Sequence, residues 1–318
     1  MSGSEFDVVV VGGGPSGATA ACDLAEAGHK VLLLDRGGRI KPCGGAVPLV
    51  CYREDRGGAL VKVRARLVVG ADGARSAVAR QELKGAEWMP CVFAYHEVVR
   101  SPAGRSDAFD PARCDVYYQG RLSPDFYAWV FPHGETASVG VGSANKGFAL
   151  RGAVERMRGE IGLAQCETLR REGAPIPLKP LKRWDNGRDV IVTGDAAGVV
   201  APASGEGIYY AMTGGRVVAE AAGAFLASGQ PAALRKARRT FMRQHGKVFW
   251  ILGIMQYFWY SSDKRRERFV EMCADPDVQH LTWQAYMHKR LVRAKPMAHL
   301  RVFIKDCAHL LGLRPVAQ

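Results

Sequence analysis

Phe6-Asp7-Val8-Val9-Val10-Val11-Gly12-Gly13-Gly14-Pro15-Ser16-Gly17 is the stretch on which the fold turns. An apolar run that ends in glycines reads as a buried parallel strand. Pro15 to Ala27 is alanine-rich and reads as a helix stopped by Gly28; Lys30 to Leu34 reads as a second strand closed by Asp35. Strand, helix and strand make one βαβ unit. Within it Gly12, Gly14 and Gly17 occupy the positions of GxGxxG. The first permits a tight turn, the second lets the backbone approach a pyrophosphate, and the third lets the helix pack closely on the strand. The helix N-terminus, opened by Pro15, offers the unpaired N–H groups of Ser16 and the residues after it, and the positive end of the helix dipole, to phosphate. Asp35, with Arg36 beside it, stands where a ribose hydroxyl would donate to a carboxylate. The unit predicts a dinucleotide site. It does not by itself separate FAD from NAD.

Two later segments separate them. Val69-Gly70-Ala71-Asp72-Gly73-Ala74-Arg75-Ser76 follows the strand-like run from Val61, and Val192-Thr193-Gly194-Asp195-Ala196-Ala197-Gly198 follows the run Asp189 to Val192. A DG motif in mid-chain and a GD motif near the start of the last third resemble the FAD-dependent hydroxylase and reductase superfamily. That resemblance implies that Asp195, next to Gly194, hydrogen-bonds the ribityl–pyrophosphate part of FAD, and that Asp72-Gly73 lies near the cofactor. Ala201-Pro202-Ala203-Ser204-Gly205-Glu206-Gly207-Ile208 comes next. Its Pro-x-x-Gly-x-Gly spacing, through Pro202, Gly205, Gly207 and Ile208, opens a helix. The first N–H groups of that helix suit the flavin's pyrimidine edge, where negative charge develops on reduction. A simple capping loop is the alternative. Only one GxGxxG occurs, so an NADPH donor would bind without a second Rossmann unit; reduced ferredoxin is the other donor to consider.

Two further motifs narrow the superfamily. Lys41-Pro42-Cys43-Gly44-Gly45-Ala46 follows closely on the ribose-binding acid, and Pro124-Asp125-Phe126-Tyr127-Ala128-Trp129-Val130-Phe131-Pro132 fits PxxYxWxFP. With FDVVVVGGGPSGATAA at residues 6–21, these resemble the geranylgeranyl reductase family, and within it the chlorophyll and bacteriochlorophyll reductases. The resemblance implies reduction of the isolated double bonds of a geranylgeranyl chain, on a pigment, as the diphosphate, or on a related prenyl lipid. Reduced flavin N5 would deliver hydride to one alkene carbon and a proton would reach the other. Cys43, Gly44 and Gly45 would lie against the isoalloxazine, with Cys43 a proton donor, a tuning group or a packing residue. Tyr127, Trp129 and Phe131 alternate on an expected strand, share a face, and suit a prenyl channel; an aromatic core face is the other reading. Phe249 and Trp250 are further channel candidates. The apolar stretch they open, followed by Lys264-Arg265-Arg266, reads as a tunnel wall with a membrane-facing edge, or as a buried helix with a charged cap.

One piece of the family pattern is missing. After Val47-Pro48 family members continue for several dozen residues before the strand leading to the DG motif. Here Leu49-Val50 runs straight into Cys51 to Gly58, which looks like the end of a hairpin. Loss of a segment after Val50 removes substrate-sheet strands and leaves an edge open to pairing.

The expected architecture is α/β. A Rossmann-like FAD-binding domain is built from residues 1–85 and 185–230, a shortened antiparallel-sheet substrate domain from 86–184, and a helical C-terminal region from 231–318. Its expected sheet strands are Val92 to Val99, Asp115 to Tyr118, Phe126 to Phe131 and Ala137 to Val141. The formal net charge is +13, and from Pro231 onward 17 Lys/Arg face six Asp/Glu. Basic residues there alternate with large apolar ones, which favours an anionic membrane surface over nucleic acid, for which no motif is present. The eight cysteines form no CxxC pair and no zinc spacing, so free thiols in a reducing cytosol and no metal are expected. No signal-like leader and no run of roughly 20 apolar residues occurs. The expected location is cytoplasmic, peripheral to a photosynthetic membrane. A flavin monooxygenase or halogenase, and a flavin- or pigment-binding relative without turnover, stay open as alternatives, as does the oligomeric state.

Overall fold

A computed structural model of the chain describes residues 5–35, 50–54, 60–102 and 104–289. In chain order its elements begin with β1 (Glu5–Val11), α1 (Pro15–Glu26), β2 (Val31–Leu34), β3 (Val50–Glu54), β4 (Leu60–Gly70) and α2 (Ala77–Glu82). There follow β5 (Cys91–Arg100), β6 (Asp115–Tyr117), β7 (Ala128–His133), β8 (Thr136–Ser143), α3 (Leu150–Glu160), β9 (Thr168–Pro177) and β10 (Val190–Val192). Four helices end the described chain: α4 (Ile208–Ser228), α5 (Arg235–Trp259), α6 (Asp263–Cys273) and α7 (Pro276–His288).

Contacts divide the chain into a first unit, Met1–Cys91 with Pro175–Phe249, and a second, Val92–Ala174 with Trp250–Gln318. The C-terminal helices, expected as a region of their own from residue 231, are shared between the units, and the division falls inside α5.

In the first unit the parallel strands run in the order β10-β4-β1-β2, and β3 lies antiparallel on the first half of β4, with Val50 opposite Arg64 and Glu54 opposite Leu60. The hairpin end expected around Cys51 is therefore strand β3. Val8, Val9, Val10, Leu67, Val69, Ile191 and Val192 are fully buried, as strands covered on both faces require. Helices α1 and α4 approach to backbone contact: a Cβ at Gly215 would lie 2.4 Å from the Ser16 carbonyl oxygen.

The second unit holds an antiparallel sheet in the order β6-β7-β8-β5-β9. Trp129 on β7 stands opposite Gly140 on β8, which stands opposite His96 on β5. Helix α3 covers one face, where Val99, Ala128, Val130, Val139 and Val141 pack with Val154, Met157 and Leu163. Strand alternation then puts Trp129, Phe131, Ser138 and His96 on the other face, where all four are only half-buried. Strand β9 is not legible in the sequence: it is polar, carries Gly173, Pro175 and Pro177, and lies at a sheet edge, where such residues are tolerated. Within the C-terminal helices the sequence marks the Asp275-Pro276 break, where Asp275 caps α7, but not the earlier corner at Ser262, whose hydroxyl caps α6 by accepting from Arg265 N–H at 3.4 Å.

Candidate functional site

The glycine turn sits between β1 and α1. Gly12 has φ +104, and a Cβ there would lie 2.3 Å from the Ala71 carbonyl oxygen, so the position excludes a side chain twice over. At Gly17 a Cβ would lie 1.9 Å from the Gly12 oxygen, which is the close strand–helix approach the motif requires. In front of Gly14, the N-cap of α1, a Cβ would meet nothing within 4 Å. Pro15 takes the first helical position, and no side chain caps the N-terminus. Those N–H groups are left for an anion. Asp35 directly follows β2 and accepts from Gly13 N–H at 3.1 Å through Oδ1; its second oxygen makes no hydrogen bond among the described residues.

The GD motif comes to the same place. A Cβ at Gly194 would lie 2.3 Å from Ser16 Oγ, so the turn after β10 rests on the start of α1. Asp195 is half-buried, makes no hydrogen bond through its carboxylate among the described residues, and is pushed up to about 6 by burial. Its Oδ1 lies 3.6 Å from where a Cβ of Gly207 would stand, beside the N-terminus of α4, which no side chain caps. The loop before α4 is closed by Gly205 N–H to the Ala201 oxygen and Ala201 N–H to the Glu206 oxygen, both 2.9 Å. Pro202 lies within this closed loop and Ile208, at its end, is exposed.

Asp72 is placed differently from Asp195. Its carboxylate accepts from Ser76 Oγ–H at 2.5 Å and from the backbone N–H of Ala77 at 2.7 Å and Val78 at 3.3 Å. The side chain is committed to the start of α2, and the DG segment touches the site through backbone, with Ala71 against Gly12. Arg36, Cys43, Gly44 and Gly45 lie outside the described residues.

Two residues that the sequence reading did not single out join this cluster. Burial, and then the charge of Asp195, push the Cys91 thiol up, while Arg75 acts in the opposite direction. Arg75 stood inside the quoted DG segment; Cys91 carried no local signal. Two uncapped helix starts, a carboxylate lacking a partner and open space before Gly14 together fit a diphosphate joined to a polyol, the chemistry of FAD.

On the open sheet face of the second unit, Trp129 stacks with Phe131 at 6.2 Å and meets Tyr127 edge-on at 5.9 Å. A Cβ at Gly140 would lie 2.2 Å from Trp129 Cζ2 and 2.6 Å from His96 Cβ, so the indole lies flat across β8 only because residue 140 is glycine. Trp129 Nε1–H donates to Ser138 Oγ at 3.2 Å; Ser138 Oγ lies 2.9 Å from His96 Nδ1, and His96 Nε2 lies 3.0 Å from Glu172 Oε2. Four strands thus contribute to one hydrogen-bonded chain that fixes the indole. Of this chain only Trp129 was marked in the sequence, by its place in PxxYxWxFP. Phe249 and Trp250 do not share a face, since neighbours on a helix point about 100° apart. Phe249 is buried against Tyr210 and Phe241, whereas Trp250 is 69% exposed. Nor is Lys264-Arg265-Arg266 a uniform basic edge: Arg266 is buried, donating to the Pro124 and Tyr260 carbonyls and pairing with Asp263.

A nucleotide cleft of this kind on a parallel sheet defines the class, an FAD-dependent oxidoreductase. A family model of that description, FAD dependent oxidoreductase, matches residues 7–47. The chain is 44% identical to a geranylgeranyl diphosphate reductase of Rhodobacter capsulatus, across 98% of this chain and 99% of that one. It is 29% identical to the geranylgeranyl diphosphate reductase of Synechocystis, across 96% and 97%. Among solved structures it is similar to a geranylgeranyl bacteriochlorophyll reductase-like protein of Thermoplasma acidophilum, with TM-score 0.73, 18% identity and coverage of 98% and 99%. The flavin-dependent brominase Bmp2 has TM-score 0.62 at 14% identity, covering 96% of this chain and 100% of that one. At such identities these two likenesses concern the fold. The chain belongs to the geranylgeranyl reductase family. The Rhodobacter alignment runs over 389 positions, so at least 71 of them (389 less 318) have no residue here.

Proposed function

We propose that this chain hydrogenates the isolated double bonds of a geranylgeranyl chain, carried as the diphosphate or as the ester of a (bacterio)chlorophyll-type pigment. Reduced FAD, when bound, supplies a hydride to one alkene carbon while a proton goes to the other, so that two C–H bonds replace the π bond. The protein's part is to hold the reactants and exclude water. In the first unit the N–H groups of the Gly12–Gly17 turn take the pyrophosphate, Asp35 with Arg36 the adenosine ribose, Asp195 the ribityl hydroxyls, and the Pro202–Ile208 loop the flavin's pyrimidine edge. Cys43, Gly44 and Gly45, outside the described residues, are assigned to the reacting ring by the resemblance of their motif. In the second unit the prenyl tail lies on Trp129 and Phe131, with Tyr127 at the end of the strip.

The observation that carries this reading is the open aromatic face of the antiparallel sheet. Helix α3 takes the aliphatic face as the core, leaving Trp129 and Phe131 half-exposed and locked in place. An apolar tail without hydrogen-bonding groups suits such a face. NADPH or reduced ferredoxin serves as electron donor, and the single GxGxxG supports a donor that binds without its own Rossmann unit. Trp250, Ile254 and Tyr257 recur at i, i+4 and i+7 on α5 with 69%, 48% and 85% exposure. That stripe, in a strongly basic C-terminal region, supports peripheral seating on the cytoplasmic side of a photosynthetic membrane. No helix among the described residues is long and apolar enough to cross one.

The test is anaerobic incubation of the FAD-loaded protein with dithionite and either geranylgeranyl-bacteriochlorophyll or geranylgeranyl diphosphate. Mass spectra should show products heavier by successive pairs of hydrogens. Enzyme whose flavin is reduced with one equivalent of dithionite and is reoxidised by neither substrate would reject the proposal.

A further inference from the structure

We propose that the corner between α5 and α6 is an anion site for the diphosphate of a prenyl diphosphate, from which the tail runs along a row of aromatic rings to Trp129. This rests on the reading that the chain acts on a geranylgeranyl tail, and it adds the head group. A cleft at the corner is lined by Phe258, Trp259, Ser262, Lys264, Arg265 and Arg268. Three cations line it and no acid does. Asp263, between Ser262 and Lys264 in the chain, is committed elsewhere: it accepts from Gly120 N–H at 2.8 Å and from Arg266 at 2.7 Å. Glu267 and Glu271 lie on the same helix but do not line the cleft.

The cations themselves are poorly satisfied. Lys264, Arg265 and Arg268 form no ion pair among the described residues. The Arg268 Nε is buried without a hydrogen-bond partner. Arg265 is held in place, 4.2 Å over the Phe258 ring and donating to Ser261 Oγ at 2.7 Å. A buried guanidinium nitrogen without an acceptor is unfavourable, and phosphate oxygens would relieve it. The multiple charge of a diphosphate matches three convergent cations; a membrane surface would be met by cations that point outward rather than into a cleft.

The cleft also has an apolar exit within the same unit. From Trp259 in its wall, ring contacts lead to Phe269 at 6.1 Å, Tyr118 at 5.1 Å, Tyr127 at 6.1 Å and Trp129 at 5.9 Å. Phe269, Tyr118, Tyr127 and Trp129 are each half-buried. A charged head with a polyene tail fits a cation cluster joined to such a row. A pigment ester has no diphosphate to place among the cations.

The experiment uses the full-length FAD-loaded protein. Inorganic pyrophosphate is titrated calorimetrically into wild type, the Lys264→Gln variant and the Lys264→Gln/Arg268→Gln double variant. The same proteins, driven by dithionite, are then assayed with geranylgeranyl diphosphate and with geranylgeranyl-bacteriochlorophyll. Pyrophosphate should bind wild type and weaken at least about tenfold in the double variant. The KM for the diphosphate should rise about tenfold more than that for the pigment, and exposed Lys264 alone should show the same direction. Wild type that fails to bind pyrophosphate, or equal effects on the two substrates, overturns the site. Loss of binding to anionic phosphatidylglycerol vesicles with unchanged KM for the diphosphate also overturns it, and gives the cations to the membrane. Wild type that binds pyrophosphate but reduces neither substrate supports the anion site and refutes the proposed function instead.

Discussion

Replacing Asp195 by Asn should make the FAD-free protein more stable and the FAD-loaded protein less so. The carboxylate is half-buried, has no hydrogen-bond partner among the described residues, and burial raises it from 3.8 to about 6. A rise of about two units, at about 1.4 kcal/mol per unit, corresponds to about 3 kcal/mol that the charged form costs without FAD. The sign is opposite to that of a paired acid. Because the folded value lies above the unfolded one, the penalty is fully present above about pH 6 and fades as pH falls toward 3.8. Asn keeps the shape and cannot ionise. Urea unfolding of the FAD-free variant at pH 8, followed by circular dichroism, should therefore show a gain of about 2–3 kcal/mol that shrinks toward zero near pH 4. FAD reverses the comparison, since hydroxyl donors to a carboxylate are worth about 1.5–3 kcal/mol and a neutral amide recovers only part of this. Flavin fluorescence titration should give an affinity about 10–100-fold weaker in the variant. Equal stability of the two FAD-free proteins at pH 8, or a gain that ignores pH, would refute the reasoning.

Three further outcomes concern the second unit and Cys43. Arg158→Met removes one of the two guanidinium partners of buried Glu97, which keeps Arg171 at 3.3 Å and Tyr95 O–H at 2.7 Å, and should cost about 1.5–3 kcal/mol in thermal or urea unfolding. Burial pushes Glu97 up, but Tyr95 and Arg158 outweigh it and hold it below its usual value. Its contribution is thus present above the unfolded value and lost as pH falls through the lower folded one; adding Glu97→Gln should remove that acid-sensitive part. Gly140→Ala forces the Trp129 indole off β8 and should cost about 1–3 kcal/mol while leaving FAD bound; prenyl turnover should fall and tryptophan emission shift, and unchanged turnover would separate the indole from the substrate. Cys43→Ala should slow alkene reduction with FAD retained, and unaltered kcat would deny the thiol a chemical part.

The flavin half of the molecule was readable because its chemistry is local. Gly12, Gly14, Gly17, Asp35 and Asp195 each act through a turn or an element end, and the residues that define those turns lie next to them in the chain. What local reading could not settle is where a polar side chain goes once its turn exists. Asp72 and Asp195 look alike in the sequence, each beside a glycine after a strand. Asp72 has the free N–H groups of α2 within reach and takes them; Asp195, beside the uncapped start of α4, makes no such bond among the described residues. Cys91 feels the charge of Asp195, far from it in the chain, only through tertiary structure.

The prenyl face shows the same division from the other side. Alternation in Tyr127-Ala128-Trp129-Val130-Phe131 establishes that the aromatic residues share a face, but not whether that face is core or open. The deciding residues lie on other strands and on α3: Val139, Val141, Val154 and Met157 claim the Ala128–Val130 side, and Trp129, Phe131, Ser138 and His96 stay half-buried on the other. Ser138, His96 and Glu172 are scattered over 77 positions and converge only through strand order. They were invisible as a motif, yet they turn three aromatic residues into a surface of fixed shape. A binding strip for a featureless hydrocarbon has to obtain its specificity in this way, because the tail offers no hydrogen bond by which its position could be set.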